Sequence, residues 1–283
     1  MKLNKSRFWF CFAAFLSALS TVFAQTPQNS SDNRYIELIS AADSAQSAAD
    51  WRRADSLLTA AVRLQPQNPL NVLLMSNLGM LRFYQGNDSL ALMTLDAAHS
   101  MDPRATIVLV NRAKVRLNMG DSDGALADWN AVLEVDTANV ATRYLRAMEL
   151  LRRGDVAAAE ADARRLERDV PTDPRTDLAL GTLLSSTLRY SEAIPYLNRA
   201  IDVDPQSELF AARALCRIMN GDLNEASEDI AEGMRLDPID GELYLYRALL
   251  NRLRYRPDDA KRDARRAVEL GVAQRRADAV IAP

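Results

Sequence analysis

The chain of 283 residues carries 35 Lys+Arg against 38 Asp+Glu, and its formal net charge of −3 argues against nucleic acid as a main partner. One histidine and two cysteines allow no histidine metal cluster, no Ser-His-Asp arrangement and no disulfide framework. No glycine-rich phosphate loop occurs either, so a non-catalytic protein with no cofactor and no metal is expected.

In chain order, residues 1–24 read as a secretory signal peptide. Lys2, Lys5 and Arg7 form a positive start, Phe8 to Leu19 is apolar apart from Ser17, and Val22-Phe23-Ala24 precedes Gln25 as the new N-terminus. The other reading is an uncleaved membrane anchor, for which the apolar core is short. Cleavage removes three positive charges and leaves −6 on the mature chain. Residues 25–34 are polar and read as a flexible lead. No later stretch has 18 consecutive apolar residues, so no stable membrane span is expected after cleavage.

From there one pattern repeats. Ala54, Ala91, Ala125, Ala159, Ala193, Ala226 and Ala260 stand 37, 34, 34, 34, 33 and 34 residues apart. Twelve residues before each lies another small residue: Ala42, Gly79, Ala113, Ala147, Gly181, Ala214 and Ala248. Two antiparallel helices cross closely only where side chains are small, so each pair marks a tight hairpin. Twelve residues after five of the alanines a proline ends the second helix (Pro66, Pro103, Pro171, Pro205, Pro238), while Thr137 and Val272 stand in the other two places. Gly86-Asn87, Gly120-Asp121, Gly154-Asp155 and Gly221-Asp222 predict a left-handed end to the first helix and a cap on the second. A period of this length means one helical hairpin copied many times, each burying its apolar face on the next.

These residues resemble the tetratricopeptide repeat family, with Leu78-Gly79, Leu180-Gly181 and the run from Glu192-Ala193-Ile194 to Asp204-Pro205 among the matching stretches. The resemblance covers residues 35–272 as seven repeats, about 35–68, 72–105, 106–139, 140–173, 174–206, 207–240 and 241–272, followed by a capping helix at 273–283. It implies an all-α fold, a right-handed α-solenoid whose inner groove is lined by first helices and binds peptides or proteins. The Ala-Gln cleavage junction also resembles exported proteins of the Bacteroidetes.

Groove positions implied by the resemblance are Asn77, Met80, Tyr84, Asn111, Lys114, Tyr144, Met148, Leu215, Met219 and Tyr246, with Thr182, Ser185 and Leu249 beside them. Asparagines can hydrogen-bond an extended peptide backbone, and aromatic and methionine side chains form adaptable pockets. For each apolar member the alternative is packing between helices. The neighbourhood Ile39, Asp43, Asn77, Ile107 and Asn111 lacks the cations of the family's chaperone-binding carboxylate clamp, so that mode is not expected.

A second covariation concerns charge. Arg112, Arg146, Arg213 and Arg247 precede the small residue of their first helices, and only those repeats carry an aspartate sixteen residues on: Asp128, Asp162, Asp229 and Asp263. Present together or absent together, they predict a partly buried, bidentate ion pair across each of four hairpins. His99 is expected to be an ordinary helix residue, and Cys216 a buried small hydrophobe or an intermolecular thiol. The run Lys261-Arg262-Asp263-Ala264-Arg265-Arg266, with Arg275-Arg276, is the only basic concentration. It reads as solvated helix surface, or as a contact for an acidic partner or an anionic headgroup.

The expected protein is a non-catalytic adaptor of the cell envelope, exported and periplasmic, that holds a protein or peptide in its groove. The alternative is an accessory subunit of a larger envelope enzyme or secretion complex, contacting through the convex face or the basic C-terminal end.

Overall fold

The computed structural model describes residues 30–282, so the expected signal peptide and residues 25–29 of the lead lie outside it. Among the described residues there are fifteen helices and no strand: α1 Ser30–Ser47, α2 Trp51–Leu64, α3 Asn71–Tyr84, α4 Asp88–Met101, α5 Thr106–Asn118, α6 Ser122–Val135, α7 Val140–Arg152, α8 Val156–Asp169, α9 Pro174–Ser186, α10 Tyr190–Val203, α11 Ser207–Asn220, α12 Leu223–Leu236, α13 Gly241–Leu253, α14 Pro257–Glu269 and α15 Gln274–Ile281. Helix α1 begins inside the stretch read as a flexible lead. Its first-turn Asp32 accepts a hydrogen bond of 2.7 Å from Gln65 Nε2 at the end of α2, which ties residues 30–34 to the first hairpin.

The small-residue columns lie where the hairpins cross. All seven alanines of the second helices are buried, as are the seven small residues of the first helices. The approach is close enough to exclude a methyl at Gly79, where a Cβ would stand 2.6 Å from Leu95 Cγ. The second helices stop two residues before each proline, and α6 stops at the same place before Thr137. The proline therefore reinforces an ending that the chain makes without it.

All seven hairpin turns pass through a left-handed residue. Four are the expected glycines, Gly86, Gly120, Gly154 and Gly221, and the other three are Ala49, Leu188 and Tyr255 at φ of 58°, 64° and 56°. Asp121 and Asp155 cap the helices that follow, accepting from Gly124 N at 2.8 Å and Ala158 N at 3.2 Å. Asn87 and Asp222 occupy the same position without a side-chain cap bond. An L side chain in this conformation costs roughly 1–2 kcal/mol, and glycine loses about 0.5–1 kcal/mol of that advantage through its freer unfolded chain. Tyr255 is 94% exposed and has no packing to lose. Tyr255→Gly is expected to raise stability by about 0.5–1 kcal/mol in urea unfolding; an unchanged or lower midpoint would show that the turn is unstrained.

The hairpins fall into two compact units, Met1–Thr137 and Ala138–Pro283, each with its own buried clusters. The described part of the first unit stacks the hairpins α1–α2, α3–α4 and α5–α6. The second stacks α7–α8, α9–α10, α11–α12 and α13–α14, in the manner of an α-solenoid, and ends in α15. That last helix buries Ala277 and lays Val280 and Ile281 on the cluster of Leu245, Ala248, Ala264 and Ala267. Arg252 Nη1 donates to the carbonyls of Val280 at 2.8 Å and Ala282 at 3.1 Å, satisfying acceptors that a helix C-terminus leaves open.

Candidate partner-binding face

Two arrangements bear on function: the exposed side of the first helices, and the arginines that hold those helices in place. The arginines explain the positioning. In the third hairpin Arg112 meets Asp128 bidentately, Nε to Oδ2 at 3.0 Å and Nη2 to Oδ1 at 2.6 Å. The side chains of this pair are only 8% and 3% exposed. The fourth hairpin pairs Arg146 with Asp162 at 2.7 Å through both nitrogens. In the sixth, Arg213 reaches Asp229 at 2.6 Å, and in the seventh Arg247 reaches Asp263 at 2.6 Å. The structure thus brings together all four arginines and aspartates singled out by their covariation.

Sequence reasoning missed the rest of each cluster. The remaining guanidinium nitrogen, Nη1, reaches back to the second helix of the preceding hairpin: to Asp96 Oδ1 at 3.0 Å from Arg112, to Asn198 Oδ1 at 2.7 Å from Arg213, and to Met234 Sδ at 3.2 Å from Arg247. A further residue one helical turn along joins the same carboxylate: Arg116 Nη1 at 2.8 Å on Asp128, Arg217 Nη1 at 2.8 Å on Asp229, Asn251 Nδ2 at 2.9 Å on Asp263. In the second hairpin, which lacks the pair, Arg82 comes from that same later position. It donates to Thr94 Oγ1 at 2.6 Å and bidentately to Asp55 of the preceding hairpin at 2.8 and 3.0 Å. The signal was present as the column Arg82, Arg116, Arg217 three residues after the small residue. Through Arg112, Arg213 and Arg247 these clusters bind hairpin to hairpin.

On the first helices the ten groove positions divide. In unit 1, Lys114 Nζ donates to Tyr84 Oη at 2.9 Å and lies 5.0 Å from the centre of the Tyr84 ring and 5.7 Å from that of Phe83. This contact makes the ammonium both a hydrogen-bond donor and a cation over aromatic rings, held between α3 and α5. Asn111 Nδ2 donates to Ser76 Oγ at 2.9 Å across the same pair of helices. Asn77 is half-buried between them and makes no side-chain hydrogen bond among the described residues. Leu73 and Ile107 flank these polar groups as exposed apolar side chains at helical spacing. Leu73 was not foreseen; its position four residues before Asn77 on α3 was the available cue.

Other members pack inward. Met80 is buried against Leu95, Ala98, Val108 and Val115, and so is a core residue, not a groove contact. The reason is its place beside Gly79, where the helices cross. In unit 2, Tyr144 and Met148 are half-buried against the cluster of Ala159, Leu180 and Leu183, and burial raises the Tyr144 hydroxyl above its ordinary pKa. Tyr246 lies against two clusters, with its hydroxyl raised first by burial and then by the nearby Glu242. Leu215 is half-buried, whereas Met219 is 53% exposed. Of the clamp neighbourhood, Ile39 is buried and burial raises the Asp43 carboxyl.

Burial pushes the Cys216 thiol up to about 11, which removes its nucleophilic form at neutral pH. No group of three or more His, Cys, Asp or Glu among the described residues could hold a metal ion. His99 is held below its ordinary pKa by burial and by the Arg112 charge, and its Nδ1 is buried without a partner among the described residues. Protonation therefore favours the unfolded chain, which keeps the higher pKa of about 6.5. Stability is expected to be full above that pH and to decline as pH falls through the lower folded value. In urea titrations at pH 7.5 and 5.5, His99→Gln should show a smaller acid loss than the parent; equal losses would mean that His99 does not contribute.

Among the described residues no helix is long and apolar enough to cross a membrane. Two family profiles described as tetratricopeptide repeat match residues 110–174 and 178–207. A tetratricopeptide repeat protein of Parabacteroides merdae has a solved structure that superposes with a TM-score of 0.69 at 26% identity, over 88% of this chain and 98% of that one. The structure of PilF from Pseudomonas aeruginosa superposes with a TM-score of 0.65 at 16% identity, over 78% of this chain and 99% of that one, a likeness of fold. The rat (Rattus norvegicus) DnaJ homolog subfamily C member 3 is 29% identical over 162 residues, 52% of this chain. The match spans only 32% of that relative's length.

Proposed function

Because the chain belongs to the tetratricopeptide repeat family, whose fold is that of a protein–protein interaction scaffold, we propose that it is a non-catalytic adaptor of the cell envelope that binds a peptide or protein segment on the first-helix face of unit 1. The observation that carries this reading is the Tyr84–Lys114 and Ser76–Asn111 pair of rungs between α3 and α5. Polar donors and acceptors along these two helices, with Asn77 half-buried and Leu73 and Ile107 exposed, suit an extended backbone carrying apolar side chains. Export rests on the charge, apolar run and cleavage junction of residues 1–24. The periplasm is the compartment that this reading names, and a protein of the envelope is the partner.

The test is crosslinked affinity capture of the tagged chain from native envelope, beside an Asn77→Ala/Lys114→Ala variant. These side chains lie at the surface or half-buried, so the variant keeps the fold, whereas Tyr144→Ala would also disturb a core. A partner held by the parent and lost by the variant supports the reading. One held equally by both, or found only in the cytosolic fraction, overturns it.

A further inference from the structure

The seventh hairpin carries a concentration of positive charge on the exposed side of its second helix. Residues 241–283 hold ten basic and six acidic side chains in a chain whose net charge is −3. Between α13 and α14 lies an open cup of about 470 Å³, lined by Tyr244, Arg247, Arg262, Asp263, Arg265, Arg266 and Glu269. The Tyr244 ring forms one wall, with the guanidinium carbons of Arg247 and Arg266 at 5.0 and 6.0 Å from its centre.

The carboxylates present do not neutralise this surface. Asp263, itself buried, is committed to Arg247, which pairs with it bidentately. Arg266 pairs with Glu269 at 2.7 Å and Arg262 with Asp259, both on the exposed helix surface three residues apart. Pairs of that kind contribute about 0–1 kcal/mol and exchange readily for another carboxylate. Arg265 donates only Nε, to the Lys261 carbonyl at 3.3 Å, and neither Arg265 nor Lys261 makes an ion pair among the described residues. Lys261 stands one helical turn before Arg265 on the same exposed side.

We propose that this cup and the Lys261–Arg265 edge form a docking site for a carboxylate-rich segment of a protein partner. Charge complementarity names the occupant. Planar guanidinium groups bind carboxylates through two parallel hydrogen bonds, and arginine outnumbers lysine here by three to one among the exposed cations Lys261, Arg262, Arg265 and Arg266. A membrane surface fits less well, because the exposed residues of α14 after Pro257 are all charged and supply nothing apolar to insert. The site stands independently of the first-helix reading and uses none of its residues.

A fluorescein-labelled peptide of six glutamates is the probe, with a six-glutamine peptide and phosphatidylglycerol vesicles in parallel. Fluorescence anisotropy should show binding of the glutamate peptide alone, weakening as salt rises from 20 to 200 mM. Arg262→Gln/Arg265→Gln is expected to weaken it at least tenfold, and Lys114→Ala to leave it unchanged. Circular dichroism melting of both variants confirms that each remains folded. Zero-length carbodiimide coupling gives a separate reading, since Lys114 and Lys261 are the only lysines beyond residue 24. The amide should form at Lys261, and it should form still in the Asn77→Ala/Lys114→Ala variant. Failure to bind, binding that the arginine variant leaves intact, coupling at Lys114, or binding to the vesicles without the peptide would each overturn the proposal.

Discussion

Asp128→Ala is expected to destabilise unit 1 by about 3–5 kcal/mol. The carboxylate accepts three hydrogen bonds, two from Arg112 and one from Arg116, in a site almost closed to water. Its removal leaves Arg112 with Asp96 as its remaining ion-pair partner and strips Arg116 of its shortest contact. The loss therefore measures a stranded pair of cations more than the attraction itself. A double-mutant cycle with Arg112→Leu separates the two. The double variant should be more stable than the sum of the single losses by about 2 kcal/mol, because apolar replacement of both partners abolishes the buried charge. Amide hydrogen exchange in α5 and α6 would locate the effect. Strictly additive losses would mean that the two side chains do not depend on each other.

Next to it, Trp129→Ala is expected to cost about 3–5 kcal/mol, through lost burial and the cavity left behind. The indole is 2% exposed and fills the space between Ala113, Ala125, Leu117 and Leu126. Small residues on both facing helices leave room that only a large side chain fills. Yet among the described residues its Nε1 is buried with no acceptor, an omission that costs about 1–3 kcal/mol wherever it occurs. Trp129→Phe removes that donor together with part of the ring, so the two changes oppose each other. It is expected to stay within about 1.5 kcal/mol of the parent, far from the alanine variant, in urea unfolding followed by circular dichroism. A phenylalanine variant as unstable as the alanine one would mean that the indole nitrogen has a partner in solution.

The Arg112–Asp128 pair and the small residues Ala113 and Ala125 beside Trp129 stand in columns legible in the sequence. A repeated hairpin is legible because each copy meets the same steric demand: small residues at Ala113 and Ala125 where the helices cross, and a short turn between them. Seven copies supply seven independent readings of one geometry. The pairing of Arg112 with Asp128 was legible for the same reason, since a charge that must be neutralised on burial can only be inherited with its partner. The third guanidinium nitrogen was not, because it points from one hairpin to the one before, and a single-copy pattern says nothing of what lies across the joint.

The binding face shows the same division more sharply. The family resemblance placed Asn77, Tyr84, Asn111 and Lys114 in the groove, and the structure links Asn111 to Ser76 and Lys114 to Tyr84 between α3 and α5. Met80 was placed there too and is buried, and Tyr144 and Met148 are partly covered. Periodicity assigns a residue to one side of its own helix, but whether that side meets solvent depends on how the neighbouring hairpin leans, which is a matter of packing. Likewise, nothing in the residue types at Leu188 and Tyr255 announces a left-handed turn; only closing the hairpin forces it, at positions where other copies use glycine. What the sequence determined by itself is the all-α repeat, its length and the covarying charges, all consequences of local sterics and of charge burial within a single hairpin. What only the tertiary structure decided is which side chains remain exposed and what each guanidinium reaches across the joint, because both depend on contacts between copies.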